Sequence, residues 1–289
     1  MSEREAMYCE QTPKGVKCRL CPWECELPEG ASGRCGVRVS RNGRLIAQSY
    51  GMITSASIDP IEKKPLRHFY PGSVIFSIGL YGCNLHCPFC QNYHISMEKP
   101  EAAYISPQDI AALAQRYARA EDNLGVAYTY NEPLIAYEYI MDCAVLIREK
   151  GLKNVVVTNG CIRDEPFQRI APLIDAFNID LKGSDSYYKN TLGGDLETVK
   201  QNIRSAAAYS HVEVTTLIIP GENDSDAEME EEAKFLAGIN PEMPLHLSRF
   251  IPQYKYAHKQ PTSKETMYRL RDIARVYLRH VYLGNIQSY

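Results

Sequence analysis

Several features that would point to common protein classes are absent from this sequence. No apolar run approaches the roughly 20 residues that a membrane-spanning helix requires. The first residues, Met-Ser-Glu-Arg-Glu-Ala, lack the apolar core of a signal peptide. The formal net charge is only −3, so bulk charge gives no reason to expect a nucleic-acid partner. We therefore expect a cytoplasmic protein that binds neither membranes nor nucleic acid.

What the sequence has instead is cysteine, with ten in 289 residues. In a reducing compartment, clustered cysteines indicate metal binding rather than disulfides. Cys143 and Cys161 stand apart from the other cysteines, and each is expected to be a small buried residue. The length fits one large α/β domain with a small appendage.

Two regions of the chain differ in pattern. Residues 1–70 are rich in cysteine, glycine and short turns, and we interpret them as a small Cys-rich N-terminal module. In residues 71–289, apolar strands alternate with amphipathic helices, which predicts an α/β barrel of parallel strands, closed or partly open. The predicted strands are 74–79, 125–130, 154–158, 175–181, 212–219, 244–248 and 280–283. One predicted helix begins at Ser106, which serves as its N-cap. The other predicted helices cover about 134–150, 196–209, 225–238 and 262–278.

The most informative motif is Tyr-Gly-Cys-Asn-Leu-His-Cys-Pro-Phe-Cys-Gln-Asn, in which Cys83, Cys87 and Cys90 have the spacing C-x3-C-x2-C. A [4Fe-4S] cluster normally takes four thiolates, so a loop that offers three leaves one iron open for chemistry. The loop follows the apolar run 74–80, which places it at the carboxyl end of a strand, where α/β folds build active sites. A zinc knuckle and a structural cysteine group are the alternatives.

This motif after a strand resembles that of the radical S-adenosylmethionine (SAM) superfamily. Phe89, before the third cysteine, and Asn92, two residues after it, resemble pyruvate formate-lyase activating enzymes in particular. Residues 59–66 and 128–133 make the chain most similar to the radical SAM member of the AmmeMemoRadiSam set. The resemblance implies a partial (β/α)6 TIM-like barrel, a [4Fe-4S] cluster on the three cysteines, and SAM as a cofactor.

Polar residues at the ends of the second and third predicted strands are candidate SAM ligands. The segment Tyr-Asn-Glu-Pro, residues 130–133, stands where relatives often carry Gly-Gly-Glu-Pro. The resemblance implies that Asn131 and Glu132 contact the SAM amino group, and capping of the next helix is the alternative role. Thr158 and Asn159 precede a glycine that lets a ligand approach closely, although an ordinary strand-end turn would look the same.

The later strands carry further candidates. Asp180 and Lys182 point to one face of their strand, and the resemblance places them near the ribose and the carboxylate of SAM; a structural ion pair is the alternative. His246 resembles a histidine that lies near SAM in activating enzymes, and a buried core histidine is the alternative. The resemblance also assigns Phe89 to the cofactor site. Thr215 is near the position where activating enzymes often place an arginine, so that contact is not expected.

A second cysteine group lies in the N-terminal module. Its members, Cys18, Cys21, Cys25 and Cys35, have the spacing C-x2-C-x3-C-x9-C. Four soft ligands suit tetrahedral zinc or a fully ligated Fe–S cluster, and a module with little core would depend on such a staple. We expect a structural metal here, while a second, electron-relaying cluster and free thiols are the alternatives.

The resemblance implies an enzyme that reductively cleaves SAM at the cluster, giving methionine and a 5′-deoxyadenosyl radical that abstracts hydrogen from a substrate. A glycine of a partner protein, a peptide and a small molecule are all open as substrates. The reaction needs a reductant such as flavodoxin or ferredoxin. The rival hypotheses are a non-catalytic Fe–S redox or scaffold protein and a radical SAM methyltransferase, which usually needs further cysteines or a cobalamin domain.

Overall fold

The computed structural model describes residues 3–286. The outermost residues of the two predicted regions, 1–2 and 287–289, lie outside that range. Strands β1 to β7 are Cys9–Thr12, Gly15–Cys18, Glu26–Leu27, Arg38–Arg41, Arg44–Ala47, Met52–Ile53 and Ser55–Pro60. Strands β8 to β15 are Val74–Gly79, Ala103–Tyr104, Asn123–Tyr128, Lys153–Thr158, Ala176–Asp180, His211–Ile218, Leu245–Arg249 and Val281–Gly284. Helices α1 to α8 are Tyr93–Ser96, Pro107–Glu121, Tyr137–Glu149, Asp164–Ile170, Asp185–Tyr187, Leu196–Ala207, Asp226–Ile239 and Lys264–Ala274.

The central element is an eight-stranded sheet in the order β15-β14-β13-β12-β11-β10-β8-β7. Its last seven strands in the chain, β8 and β10 to β15, run parallel, and helices α2, α3, α4, α6, α7 and α8 connect them in turn. The seven predicted strands are all present, with ends within two residues of those expected. Six β/α units followed by a seventh parallel strand confirm the predicted α/β fold with a partial TIM-like barrel.

Side chains at the helix starts explain where several helices begin. The N-cap residue of each accepts a hydrogen bond from a backbone N–H in the first turn, which satisfies a donor that the helix cannot pair internally. These caps are Ser106, Asp195, Ser225 and Ser263. Helix α4 was not among the predicted helices, because its seven residues are too few to show a clear period.

The amino ends of the parallel strands are covered by the segment between β7 and β8. Strand β7 pairs antiparallel with β8, with Pro60 opposite Val74, so residues 61–73 start and finish at this end. Ile61, Leu66 and Phe69 pack there in an apolar cluster, together with residues of β8, β10, β11 and β12. The carboxyl ends of the strands are thereby left to form the site.

The N-terminal module is fixed to the barrel by polar contacts along its length. The backbone N–H of Arg163 donates to the carbonyl of Leu20, at 2.9 Å. The indole N–H of Trp23 donates to the carbonyl of Gly193, at 3.1 Å. Strand β7 belongs to the large sheet although it precedes residue 70, and the domain boundary drawn there stays a prediction. Within residues 3–286, no helix is long and apolar enough to cross a membrane.

Candidate functional site

The three-cysteine loop follows β8 at the carboxyl edge of the sheet, as expected. Gly82 begins the loop with a φ of 89°, a conformation that side chains rarely adopt. A Cβ atom at Gly82 would lie 2.6 Å from Cγ1 of Val37 and 2.7 Å from the carbonyl oxygen of Cys35. The loop therefore starts in direct contact with the N-terminal module, and only glycine fits this position.

The thiols of Cys83, Cys87 and Cys90 lie near one another in this loop. Burial raises the pKa of each thiol, to about 12 for Cys87, and neighbouring cysteines of the loop raise the pKa of Cys83 and Cys87 further. The backbone N–H of Leu85 donates to Sγ of Cys83 at 3.4 Å, and the amide of Asn159 donates to the same sulfur at 3.6 Å. Hydrogen bonds of this kind favour a thiolate over a thiol.

This donor set fits a [4Fe-4S] cluster better than a single ion. Among the residues that the structure describes, no three His, Cys, Asp or Glu side chains have an arrangement that could hold one metal ion. In a four-iron cluster each thiolate binds a different iron, so the sulfurs do not converge on a point. The hydroxyl of Tyr187 is buried with no hydrogen-bond partner in the described structure. Burial and then the charges of Glu222, Tyr256 and Cys87 raise its pKa, so this hydroxyl lies among the loops at the carboxyl edge of the sheet.

Glu132 and its neighbours join the ends of β10 and β11. Its carboxylate accepts hydrogen bonds from the N–H of Leu134 at 2.9 Å, from the hydroxyl of Thr158 at 2.7 Å and from the N–H of Asn159 at 2.7 Å. Burial raises the pKa of Glu132 to about 7, and these three bonds oppose the rise. The capping role considered for Asn131 is wrong, because the residue that caps 133–136 is Glu132, which sequence reasoning had not considered as a cap.

Asn131 and Asn159 both brace the cysteine loop. The side chain of Asn131 accepts from the N–H of Leu80 at 3.2 Å and donates to the carbonyl of Gly82 at 3.0 Å. The amide of Asn159 donates to Oδ1 of Asn84 at 3.0 Å. The structure therefore brings the predicted residues at the ends of β10 and β11 to the cysteine loop. Many of their hydrogen-bonding groups are already paired with one another or with the loop.

Tyr130 adopts a φ of 73°, the left-handed region that glycine enters without cost. The tyrosine ring lies against β8, since a Cβ at Gly79 would be 2.8 Å from its Cδ2. Its hydroxyl donates to Asp59 at 2.7 Å, and the buried ammonium of Lys64 bonds the same carboxylate oxygen at 2.8 Å.

Asp59, Lys64 and Tyr130 form a hydrogen-bonded network. All three belong to segments 59–66 and 128–133, which had been singled out only by resemblance to a family. Burial alone would raise the pKa of Asp59, but hydrogen bonds from Lys64 and Tyr130 hold it well below its usual range. Burial lowers the pKa of Lys64, and the carboxylate opposes that change. The network links the segment that covers the amino ends of the strands to the end of β10.

Asp180 and Lys182 form an ion pair at the end of β12, with 2.7 Å between Oδ2 and Nζ. The Lys182 side chain is 13% exposed. Burial lowers its pKa, but the charges of Asp180 and Cys87 more than reverse this, so the pKa lies above its usual value. The pair is thus beside the cysteine loop, and it is compatible with both roles considered for it.

His246 lies in β14 with its Nε2 2.6 Å from Oε2 of Glu213 and its ring stacked on Tyr282, at 5.5 Å between centroids. Glu213 also accepts from the backbone N–H groups of Arg67 and His68, at 3.0 and 2.7 Å. Burial would raise the pKa of Glu213, but its hydrogen bonds lower it to about 2. Sequence reasoning missed Glu213, although a charged residue inside an apolar strand was the available signal.

Phe89 is buried within the cysteine loop, beneath the segment that follows β14. The amide of Gln253 donates to the carbonyl of Phe89 at 3.1 Å, and the N–H of Tyr256 donates to the carbonyl of Pro88 at 3.2 Å. The rings of Phe89 and Tyr256 are 6.3 Å apart. The last βα loop therefore covers one side of the cysteine loop.

The N-terminal cysteines lie near one another, and the metal site expected on them stays a prediction. Burial raises the pKa of Cys21 to about 12, with smaller contributions from the thiols of Cys18 and Cys35, so these three lie near one another. The N–H of Arg34 donates to Sγ of Cys25 at 3.5 Å. No three of the four thiols in this described region have an arrangement that could hold a metal ion, so a zinc site is not supported. A second cluster on these thiols stays a prediction, because the thiolates of a cluster bind different irons and do not converge on one ion.

Comparison with known proteins identifies the family. The family model described as the radical SAM superfamily matches residues 77–235, which include the cysteine loop and the strands from β10 to β13. The chain belongs to the radical SAM superfamily. This radical SAM protein is 40% identical over 293 residues to uncharacterized protein MJ0808 of Methanocaldococcus jannaschii, covering 99% of this chain and 86% of that one.

Other similarities cover part of this radical SAM protein. It is 26% identical over 186 residues to the 4-hydroxyphenylacetate decarboxylase activating enzyme of Clostridioides difficile, with 58% of each chain covered. A radical SAM methyltransferase of Sphaerobacter thermophilus shares the fold with a TM-score of 0.56 and 21% identity, over 74% of this chain and 67% of that one. Streptococcus suis SuiB bound to S-adenosylmethionine gives a TM-score of 0.55 and 13% identity, over 71% and 48%. The closer resemblance to the AmmeMemoRadiSam set stays a prediction.

Proposed function

We propose that this protein binds a [4Fe-4S] cluster through Cys83, Cys87 and Cys90, and SAM beside it. The cluster, once reduced, supplies the electron that cleaves SAM to methionine and a 5′-deoxyadenosyl radical, which abstracts hydrogen from a substrate. The observation that carries the proposal is the placement of the three thiols at the carboxyl edge of the sheet beside Asp180 and Lys182. A non-catalytic Fe–S protein would need no such charged pair next to the thiols.

The charged pair suits the two ends of SAM. The nearly buried ammonium of Lys182, beside Cys87, offers positive charge to the SAM carboxylate, and Asp180 offers an acceptor to the ribose hydroxyls. The surrounding protein lowers the effective dielectric constant, which strengthens both contacts. His246 is left out of this proposed site, because its Nε2 bonds Glu213, which also accepts from Arg67 and His68 of the segment that covers the amino ends of the strands.

Residues of β10 and β11 act mainly by holding the site in shape. Asn131 fixes the start of the cysteine loop at Leu80 and Gly82, and Asn159 donates to Sγ of Cys83. Thr158 and Glu132 join the two strand ends. We propose that Asn131 and Glu132 lie beside the SAM amino group, and that Phe89 packs beside the cofactor. Such a frame keeps a site within the narrow tolerance that catalysis requires.

For the substrate, similarity to an activating enzyme favours a glycine residue of a partner protein. The 5′-deoxyadenosyl radical would take a hydrogen atom from the glycine Cα, giving 5′-deoxyadenosine and a glycyl radical. A peptide or small molecule remains the alternative substrate.

The test is anaerobic reconstitution with iron and sulfide, reduction, addition of SAM, and quantitation of 5′-deoxyadenosine by mass spectrometry. Wild type should form the product, and the Cys87→Ala variant should not. Cys143→Ala is the matched control, because that thiol is fully buried in helix α3 away from the loop. SAM binding should also change the electron paramagnetic resonance spectrum of the reduced cluster. A reducible cluster that neither cleaves nor binds SAM would refute the enzyme and favour a redox or scaffold protein.

A further inference from the structure

A cleft of about 380 Å³ lies beside the cysteine loop, on the side that faces the N-terminal module. Its walls come from residues 34–37 of the module, from the cysteine loop, from residues 96–99 and from residues 254–255 after β14. Gly82 and His86 of the cysteine loop contribute to the lining. Ser96, also in the lining, has a side chain that bonds Cys90. The cleft therefore reaches the loop that would carry the cluster.

The cleft carries positive charge on a chain whose net charge is −3. Arg34, Lys99 and Lys255 line it together with His86, whereas Glu98 is the one carboxylate among its lining residues in the described chain. Lys99 and Lys255 are exposed, so a partner can reach them. Arg34 is held in place, with its guanidinium carbon 3.9 Å from the centre of the Trp23 ring.

Each SAM cleavage of the proposed function consumes one electron. That electron must arrive at the cysteine loop from outside the chain, and the cleft combines access to this loop with a group of cationic side chains. Positive clefts attract acidic partners and raise their association rate.

We propose that this cleft is the docking site of a small acidic one-electron donor protein, an inference that rests on the proposed function. The donor loses one electron and the cluster gains it, with no bond formed or broken. Electron-transfer encounters bury little area and depend on charge, which a short basic groove suits. The N-terminal module contributes Arg34, so on this proposal the module forms part of the docking face as well as a cover for the barrel.

The test compares two reductants on one variant. Lys99→Glu/Lys255→Glu reverses two exposed charges of the cleft, and Lys150→Glu/Lys234→Glu is the matched control on exposed lysines of other faces. For each protein the rate of 5′-deoxyadenosine formation is measured twice, once with an acidic flavodoxin as electron donor and once with photoreduced 5-deazariboflavin, a small uncharged donor. Flavodoxin binding to the reconstituted enzyme is measured separately by biolayer interferometry.

The cleft variant should lose about tenfold in kcat/KM for flavodoxin at low salt, through KM, with the same loss in affinity. High salt should shrink the difference, because screening weakens charge steering. Its rate with 5-deazariboflavin should match wild type. The docking site would be overturned if the cleft and control variants had the same kcat/KM for flavodoxin. It would also be overturned if the cleft variant lost the same rate with both donors, which would indicate that the cleft serves the substrate or SAM. If wild type forms no product with the small donor, the proposed function fails, and the binding measurement still decides the docking site.

Discussion

A buried ion pair between the N-terminal module and the barrel offers a quantitative prediction. Arg38 of β4 meets Glu138 of α3 in a two-pronged contact, with Nη1 to Oε2 at 3.2 Å and Nη2 to Oε1 at 3.1 Å. The two side chains are 2% and 0% exposed. Arg38 also donates to the carbonyls of Met7 and Ile135, and the N–H of Met7 donates to Glu138. The pair therefore joins three segments of the chain.

The change Glu138→Gln keeps the shape of the side chain and removes its charge. It leaves the Arg38 guanidinium buried without a counter-ion, and breaking a buried pair in this way costs about 3–5 kcal/mol of unfolding free energy. At about 2–4 °C per kcal/mol for a large domain, the midpoint of thermal unfolding should fall by roughly 6–20 °C. Differential scanning calorimetry and urea unfolding followed by circular dichroism measure the two quantities.

Glu149→Gln is the control, because it makes the same chemical change at an exposed position of the same helix and should have little effect. Limited proteolysis adds a positional measurement, since Glu138→Gln should speed cleavage within residues 3–54 more than within the barrel. A loss below about 1 kcal/mol would show that the pair is solvated in solution, as surface pairs are, and would refute its role as the link between module and barrel.

Three further predictions follow from single side chains. Lys182→Met should weaken SAM binding about 10- to 100-fold, the value of one charge-assisted bond, in isothermal titration of the reconstituted protein, whereas Lys189→Met at an exposed ion pair should not. Burial raises the pKa of Glu232 from 4.5 to about 8, so the folded state holds a proton that the unfolded state releases, and stability should fall as pH rises from 4.5 to 8. Glu232→Gln should flatten that slope in urea titrations. Gly82→Ala should lower the iron content after reconstitution, because its Cβ would collide with Val37; normal iron content would contradict the packing argument.

The strands were predictable to within two residues because parallel strands buried on both faces read as apolar runs between amphipathic helices. Strand β7 was not assigned to the sheet, since Ser-Ala-Ser-Ile-Asp-Pro is too polar to resemble a buried strand. It is an edge strand, and an edge tolerates polar residues and a proline.

The sequence selects candidate residues for the site, but it could not predict their hydrogen-bond partners. Motif resemblance selects positions, but which polar atoms bond each other depends on the three-dimensional placement of separate strands. Glu132 shows the difference, because its carboxylate holds Thr158 and Asn159 in the structure, a set of bonds that no local sequence pattern contains. Tyr130 shows it again, because its left-handed backbone becomes visible only in the fold.

The unpaired hydroxyl of Tyr187 distinguishes the site from the frame around it. Most predicted ligand residues satisfy one another, so they account for rigidity and leave few groups for a ligand. A buried hydroxyl without a partner costs about 1–3 kcal/mol, and folded proteins rarely retain that cost without a use. Because Glu222, Tyr256 and Cys87 all raise the pKa of Tyr187, this hydroxyl lies among the loops at the carboxyl edge of the sheet, where a polar ligand would recover this free energy. The same place on the structure therefore carries a thiol donor set, a buried cation and an unsatisfied hydroxyl, which together fit a cluster with SAM beside it better than a structural metal.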